Sequence, residues 1–120
     1  MNKKENKPTG DIGEQIAAEY LEKLGYKILE RNLKLFCGEI DILAQDKSTI
    51  VIIEVKTVRG SGWGSAADLV RHKKQQKLRL LASAIAKEYG GKNIRIDVVS
   101  VDFSGYGDYK ISHLKNAVEG

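Results

Sequence analysis

The spacing of apolar residues changes period several times along the chain. From Thr9 or Asp11 to Leu24, apolar side chains recur at Ile12, Ile16, Ala17, Tyr20, Leu21 and Leu24, a helical stripe. Gly25 follows as a C-terminal stop. Tyr26 to Leu33 reads as a strand. Gly38 to Gln45 and Ile50 to Val58 read as a β-hairpin around Asp46-Lys47-Ser48-Thr49. A glycine-rich loop, Arg59 to Ser65, precedes a second helical stretch from about Asp68 to Tyr89, carried by Leu69, Leu78, Leu81, Ala82, Ile85 and Tyr89. Gly90-Gly91 ends it. Ile94 to Asp102 is another apolar strand, and Tyr109 to Leu114 a last, edge strand. The order α-β-β-β-α-β-β predicts an α/β fold: a central mixed sheet with helices on both faces.

Length and composition narrow the class. A chain of 120 residues suffices for one domain with a core and is too short for two. The reading is a mobile basic tail over residues 1–8 and a single domain over 9–117. No apolar run approaches a membrane span, and nothing after the lysine-rich start resembles a secretory signal. The lone Cys37 has no partner for an internal disulfide, which fits a reducing cytoplasm and a small buried thiol. His72 and His113 have no zinc-type spacing with it. The net charge of +4 favours anionic partners, nucleic acid foremost.

The hairpin carries the candidate chemistry. With its turn centred between Lys47 and Ser48, cross-strand partners sum to 95, placing Asp41 opposite Glu54 and Glu39 opposite Lys56. Side chains alternate faces, so these four share one face, with Leu43 and Ile52 nearer the turn. The other face, Ile40, Ile42, Ala44, Val51, Ile53 and Val55, is apolar. Two facing carboxylates repel unless a cation or a shared proton relieves them. Carboxylate oxygens suit Mg²⁺ or Mn²⁺, and an adjacent lysine completes what metal-assisted phosphodiester hydrolysis requires. The competing reading is a solvated face with Glu54–Lys56 and Glu39–Lys56 ion pairs. A register slip would break the direct opposition, but Glu54 and Lys56 share a face in any register.

At these residues the sequence resembles the PD-(D/E)xK nuclease superfamily, in its restriction-endonuclease-like and Holliday-junction-resolvase-like branch. It looks more closely like the YraN-like family of bacterial proteins, often described as predicted endonucleases. The matching residues begin with Gly10-Asp11-Ile12-Gly13-Glu14 and Ala17-Ala18-x-Tyr20-Leu21, then Gly25-Tyr26 and Arg31-Asn32. They continue through Gly38-Glu39-Ile40-Asp41-Ile42, Glu54-Val55-Lys56-Thr57, Trp63-Gly64 and Lys74-Gln75-x-Lys77-Leu78. Ile96-Asp97-Val98-Val99 and His113-Leu114-x-Asn116-Ala117 close the series. The resemblance implies that Asp41 and Glu54 are metal carboxylates, that Lys56 is the catalytic lysine, and that Glu14 joins them as catalytic group and metal ligand. It places Gln75 where some superfamily nucleases carry a polar active-site residue. Two positions depart from the pattern. Val58 stands where the family usually has arginine, with Arg59 following, and Ile40 replaces the superfamily's proline.

Other residues have two readings each. Glu14 by position alone is an acid suited to a helix's first turn. Arg71, Lys73, Lys74, Gln75 and Lys77 form, with Arg79, the densest basic patch, which would grip phosphates or simply solvate a helix face. Arg59 lies in the adjoining loop. Trp63, between glycines, would stack on a base or anchor the core. Asp97, among Ile96, Val98 and Val99, reads as a buried partner for a backbone group or a lysine. The expectation is a Mg²⁺- or Mn²⁺-dependent endonuclease acting on DNA, branched or structured DNA included. The alternative is a non-catalytic nucleic-acid-binding module or adaptor that keeps the nuclease fold. A homodimer would match a symmetric junction.

Overall fold

The computed structural model describes residues 8–58, 72–105 and 107–118, with side chains from residue 11 in the first helix and residue 76 in the second. The elements are α1 (Pro8–Lys23), β1 (Lys27–Leu35), β2 (Gly38–Asp46), β3 (Thr49–Val58), α2 (His72–Glu88), β4 (Asn93–Asp102) and β5 (Lys110–Leu114). The strands form one sheet in the order β1-β2-β3-β4-β5. The first three are joined as antiparallel neighbours, β3 and β4 run parallel, and β5 returns antiparallel. A parallel pair needs a crossover connection, and α2 lies in it. This is the mixed α/β sheet, in the element order α-β-β-β-α-β-β, that the periodicity predicts. The tail at residues 1–7 lies outside the described residues. Among the described residues no helix is long and apolar enough to cross a membrane.

Each sheet face carries its own helix. On one, Ala17, Ala18 and Leu21 of α1 pack with Tyr26 against Ile42, Ala44, Val51, Ile53, Val99 and Val101. On the other, Leu78, Leu81 and Ile85 of α2 pack against Leu43, Ile50, Ile52, Ile96 and Val98. The central strands are covered on both sides, so β3 reads as a continuous apolar run up to Ile53. Gly13 lets α1 approach closely: a Cβ there would collide with Oγ1 of Thr57 on β3.

One position departs from simple alternation. Ile40, expected on the face of Ile42, is buried in the α2-side cluster. The break coincides with two local features: on β1, Asn32 takes φ +54° between the pairs Arg31↔Ile42 and Leu33↔Ile40, and on the other side the hairpin pairing stops. The sum-95 register holds from Asp46↔Thr49 through Ile42↔Ile53. Beyond that pair, Asp41 Oδ2 accepts a 2.8 Å hydrogen bond from the Val55 amide. A side chain thus takes a donor that a continuing ladder would have used, and the strands part company there.

A second polar feature ties the α1 face together. Asp97 is fully buried. Its Oδ1 accepts from Arg95 Nε at 2.9 Å and from the Asn116 amide at 3.0 Å. Its Oδ2 meets Arg95 Nη2 at 3.0 Å and His113 Nε2 at 2.8 Å. His113 Nδ1 lies 3.0 Å from the Tyr20 hydroxyl, and Arg95 reaches the Tyr26 hydroxyl and Asp46. The expected buried partners exist: the backbone group is the Asn116 amide, and in place of a lysine stand an arginine and a histidine. Burial opposes ionisation of Asp97, yet His113, Arg95 and the Asn116 amide together hold its carboxyl below the ordinary range.

Candidate active site

The site occupies the open end of the β2–β3 hairpin, where the strands diverge. Glu39, Asp41 and Glu54 open onto one concavity of about 140 Å³. Lys77, Leu78 and Leu81 of α2 close its other side. Gly38 sets the entry to β2 with φ +148°, and the Lys77 Cε lies 2.7 Å from where a Cβ would stand. That φ favours glycine, whereas the Lys77 end is flexible enough to swing aside. The lysine stem crosses directly over the start of the acidic strand.

Burial shapes the electrostatics. Removal from water pushes Asp41 up to about 6, with Glu54 and Glu39 adding to the shift and the Val55 amide drawing it back. Glu14 projects from α1, on the opposite sheet face. Burial pushes it up to about 7, and Asp41 is the charge that raises it most. Asp41 thus lies between the Glu54 side and the Glu14 side, in the gap where the ladder stops. Arg31 opposes the rise at Glu14, and its guanidinium donates to Gln15 Oε1 at 2.8 Å. Lys56 Nζ lies 3.2 Å from Glu54 Oε2, with both side chains largely sheltered. Burial is the first cause of both shifts, and the neighbouring carboxylates add to it.

The structure therefore brings together Asp41 and Glu54, sets Lys56 against Glu54, and couples Glu14 electrostatically to Asp41. Two groups gain importance. Glu39, which the alternation of β2 already placed beside Asp41, lines the same concavity. Lys77, expected only as part of a basic patch, faces the carboxylates. Arg59, Trp63 and Arg71 lie outside the described residues. Lys73, Lys74 and Gln75 fall in the first turn of α2, where only the backbone is described. Cys37 is half-buried against the α2-side core.

The donor chemistry fits a hard divalent cation: carboxylate oxygens, with no sulfur or imidazole among the lining groups. Among the described residues no three His, Cys, Asp or Glu side chains converge closely enough to hold an ion unaided. Remaining ligands would have to come from water or substrate oxygens, as is usual for Mg²⁺.

Fold and site define an α/β protein with a half-buried carboxylate pair and an attached lysine at the mouth of a split hairpin. The chain matches the uncharacterised protein family UPF0102 over residues 13–101, and it belongs to that family. A UPF0102 protein of Persephonella marina is 39% identical over 112 residues, covering 92% of each chain. One from Alkaliphilus oremlandii is 41% identical over 118 residues, covering 93% of this chain and 98% of the relative. One from Thermodesulfovibrio yellowstonii is 44% identical over 112 residues, covering 90% and 93%. Among solved structures, an EndoMS–dsDNA2 complex is similar with a TM-score of 0.44 and 21% identity, covering 67% of this chain and 32% of that one. Pyrococcus furiosus SfsA in complex with Ca²⁺ is similar with a TM-score of 0.39 and 15% identity, covering 96% and 65%.

Proposed function

We propose that this protein is a divalent-cation-dependent endonuclease of the PD-(D/E)xK type that hydrolyses phosphodiester bonds in DNA, branched or structured DNA included. The observation that carries the reading is the shared concavity of Asp41 and Glu54 with Lys56 Nζ 3.2 Å from Glu54. Asp41 and Glu54 would hold Mg²⁺ or Mn²⁺. When bound, the cation supplies charge neutralisation at the phosphate and acidifies a coordinated water. The chain does the rest. The Val55 amide fixes Asp41 through Oδ2 and leaves Oδ1 to the site. Glu54 holds the Lys56 ammonium in place, where it orients the attacking water or offsets charge on the phosphate. Glu14 adds negative charge behind Asp41, and with its pKa near 7 it is suited to accept a proton. The described residues of each chain hold one such site, so cutting both strands symmetrically would take a two-fold pair of chains.

Calorimetric titration with Mn²⁺ tests the cation site. Wild type is expected to bind, and the Asp41→Ala, Glu54→Ala double variant to lose binding. Affinity is expected to weaken as pH falls below about 6, where Asp41 takes up a proton. Binding that survives in the double variant would place the cation elsewhere.

A further inference from the structure

Phe36 is 95% exposed, the most exposed large apolar side chain among the described residues. It sits with Cys37 in the two-residue loop between the paired Leu35 and Gly38. Tight turns favour Gly, Asn, Asp and Ser, so a phenylalanine there has no local reason. The loop is firmly held: Leu33, Leu35 and Cys37 on either side of it pack onto the α2-side core. Phe36 is thus presented on a stiff support, which limits the entropy lost when a ligand meets it. Two lysines stand at this end of the hairpin: Lys34, exposed and two residues before Phe36, is the cross-strand partner of Glu39, and the Lys77 stem lies over Gly38, two residues after it. An exposed ring on a lysine-bearing hairpin end matches a base attached to a phosphate backbone.

The loop's position relative to the carboxylates sets the scale. Gly38 is three residues from Asp41 along β2, about 10 Å at the rise of a strand. That equals roughly three stacked nucleotide steps. A base inside a duplex has neighbours on both faces and none to offer a ring. We propose that Phe36 is a stacking platform for an unpaired base, so that the substrate carries single-stranded nucleotides about three to four steps from the bond cut. The inference rests on the nuclease reading and sharpens its substrate to a flap, junction or single-stranded end.

The test uses the full chain and three DNA probes carrying 2-aminopurine: a single strand, a duplex with a single-stranded overhang, and a blunt duplex. Phe36→Ala is expected to weaken the first two by roughly 5- to 150-fold, the 1–3 kcal/mol a stacked base is worth. Blunt-duplex binding should be unchanged, and Phe36→Trp should restore the loss together with 2-aminopurine quenching. Circular dichroism shows whether each variant is folded, which the exposure of Phe36 favours. Equal loss on all three probes, or none on the single strand, overturns the inference. So does a Phe36-dependent affinity for phosphatidylglycerol vesicles without any effect on DNA. Wild type that binds overhangs through Phe36 but never cleaves them would sink the nuclease reading alone. Cleavage indifferent to Phe36 would sink this inference alone.

Discussion

Asp97 is completely buried, and both of its oxygens are committed to Arg95, His113 and a backbone amide. Removing one partner from such a group leaves charge stranded in the interior. Asp97→Asn removes the buried charge around which Arg95 and His113 are arranged, leaving Arg95 only Asp46 and the Tyr26 hydroxyl, and should cost about 3 kcal/mol in urea unfolding. The pH dependence has a definite sign. The folded carboxyl titrates below its unfolded value of about 4. Its stabilisation is therefore complete above pH 4 and fades as pH falls through the lower folded value. Wild type should lose more stability than Asp97→Asn on acidification below pH 4; equal slopes would remove Asp97 from the account. Part of this was legible in the sequence. An aspartate amid Ile96, Val98 and Val99 must be partnered, and Arg95 two residues earlier shares its face. His113 was not legible, because its approach depends on the β4–β5 register Val99↔His113, which no turn signal fixes.

At the scale of elements, the β2–β3 hairpin and the docking of α1 decide where the carboxylates stand. A two-residue turn predicted the pairing from Asp46↔Thr49 to Ile42↔Ile53. It could not predict where pairing ends, since that depends on Asp41 capturing the Val55 amide. Ile40 changes faces at the same point, opposite the positive-φ Asn32. Glu14 comes within electrostatic range of Asp41 because α1 lies close on β3, and Gly13 meets Thr57 at that contact. A methyl group at residue 13 forces the helix away. Gly13→Ala is expected to cost about 1–3 kcal/mol, the range for overpacking. Thr57→Ala in the same chain should recover most of that loss in a double-mutant cycle. Additive losses would mean that the contact does not set the helix position.

At the scale of the whole molecule, a sheet covered on both faces leaves its diverging hairpin end as the place where charged groups gather, acids inside and cations around them. The chain's net charge of +4 suits this outer ring. Lys77 belongs to it as an exposed ammonium beside the carboxylates. If Lys77 contacts a phosphate, Lys77→Ala should make the log–log salt slope of DNA binding shallower by roughly one. An unchanged slope would confine Lys77 to the concavity. The class of fold, the hairpin acids and the lysine two residues after Glu54 were all readable from periodicity and spacing. The shelter that raises Asp41 and Glu14 was not, because it comes from two helices closing on one strand gap.

The central claim is that this gap cuts a phosphodiester chain with a cation's help. It is tested most directly by incubating end-labelled flapped and junction DNA with the protein in Mg²⁺ or Mn²⁺ and resolving the products. The account predicts discrete cleavage by wild type, abolished by chelation, by Asp41→Asn and by Glu54→Gln, and reduced at least 100-fold by Lys56→Ala, on the order expected when a positioned charge is removed. Cleavage that persists in Asp41→Asn, or wild type that binds these DNAs tightly with the cation and leaves them intact, would contradict it.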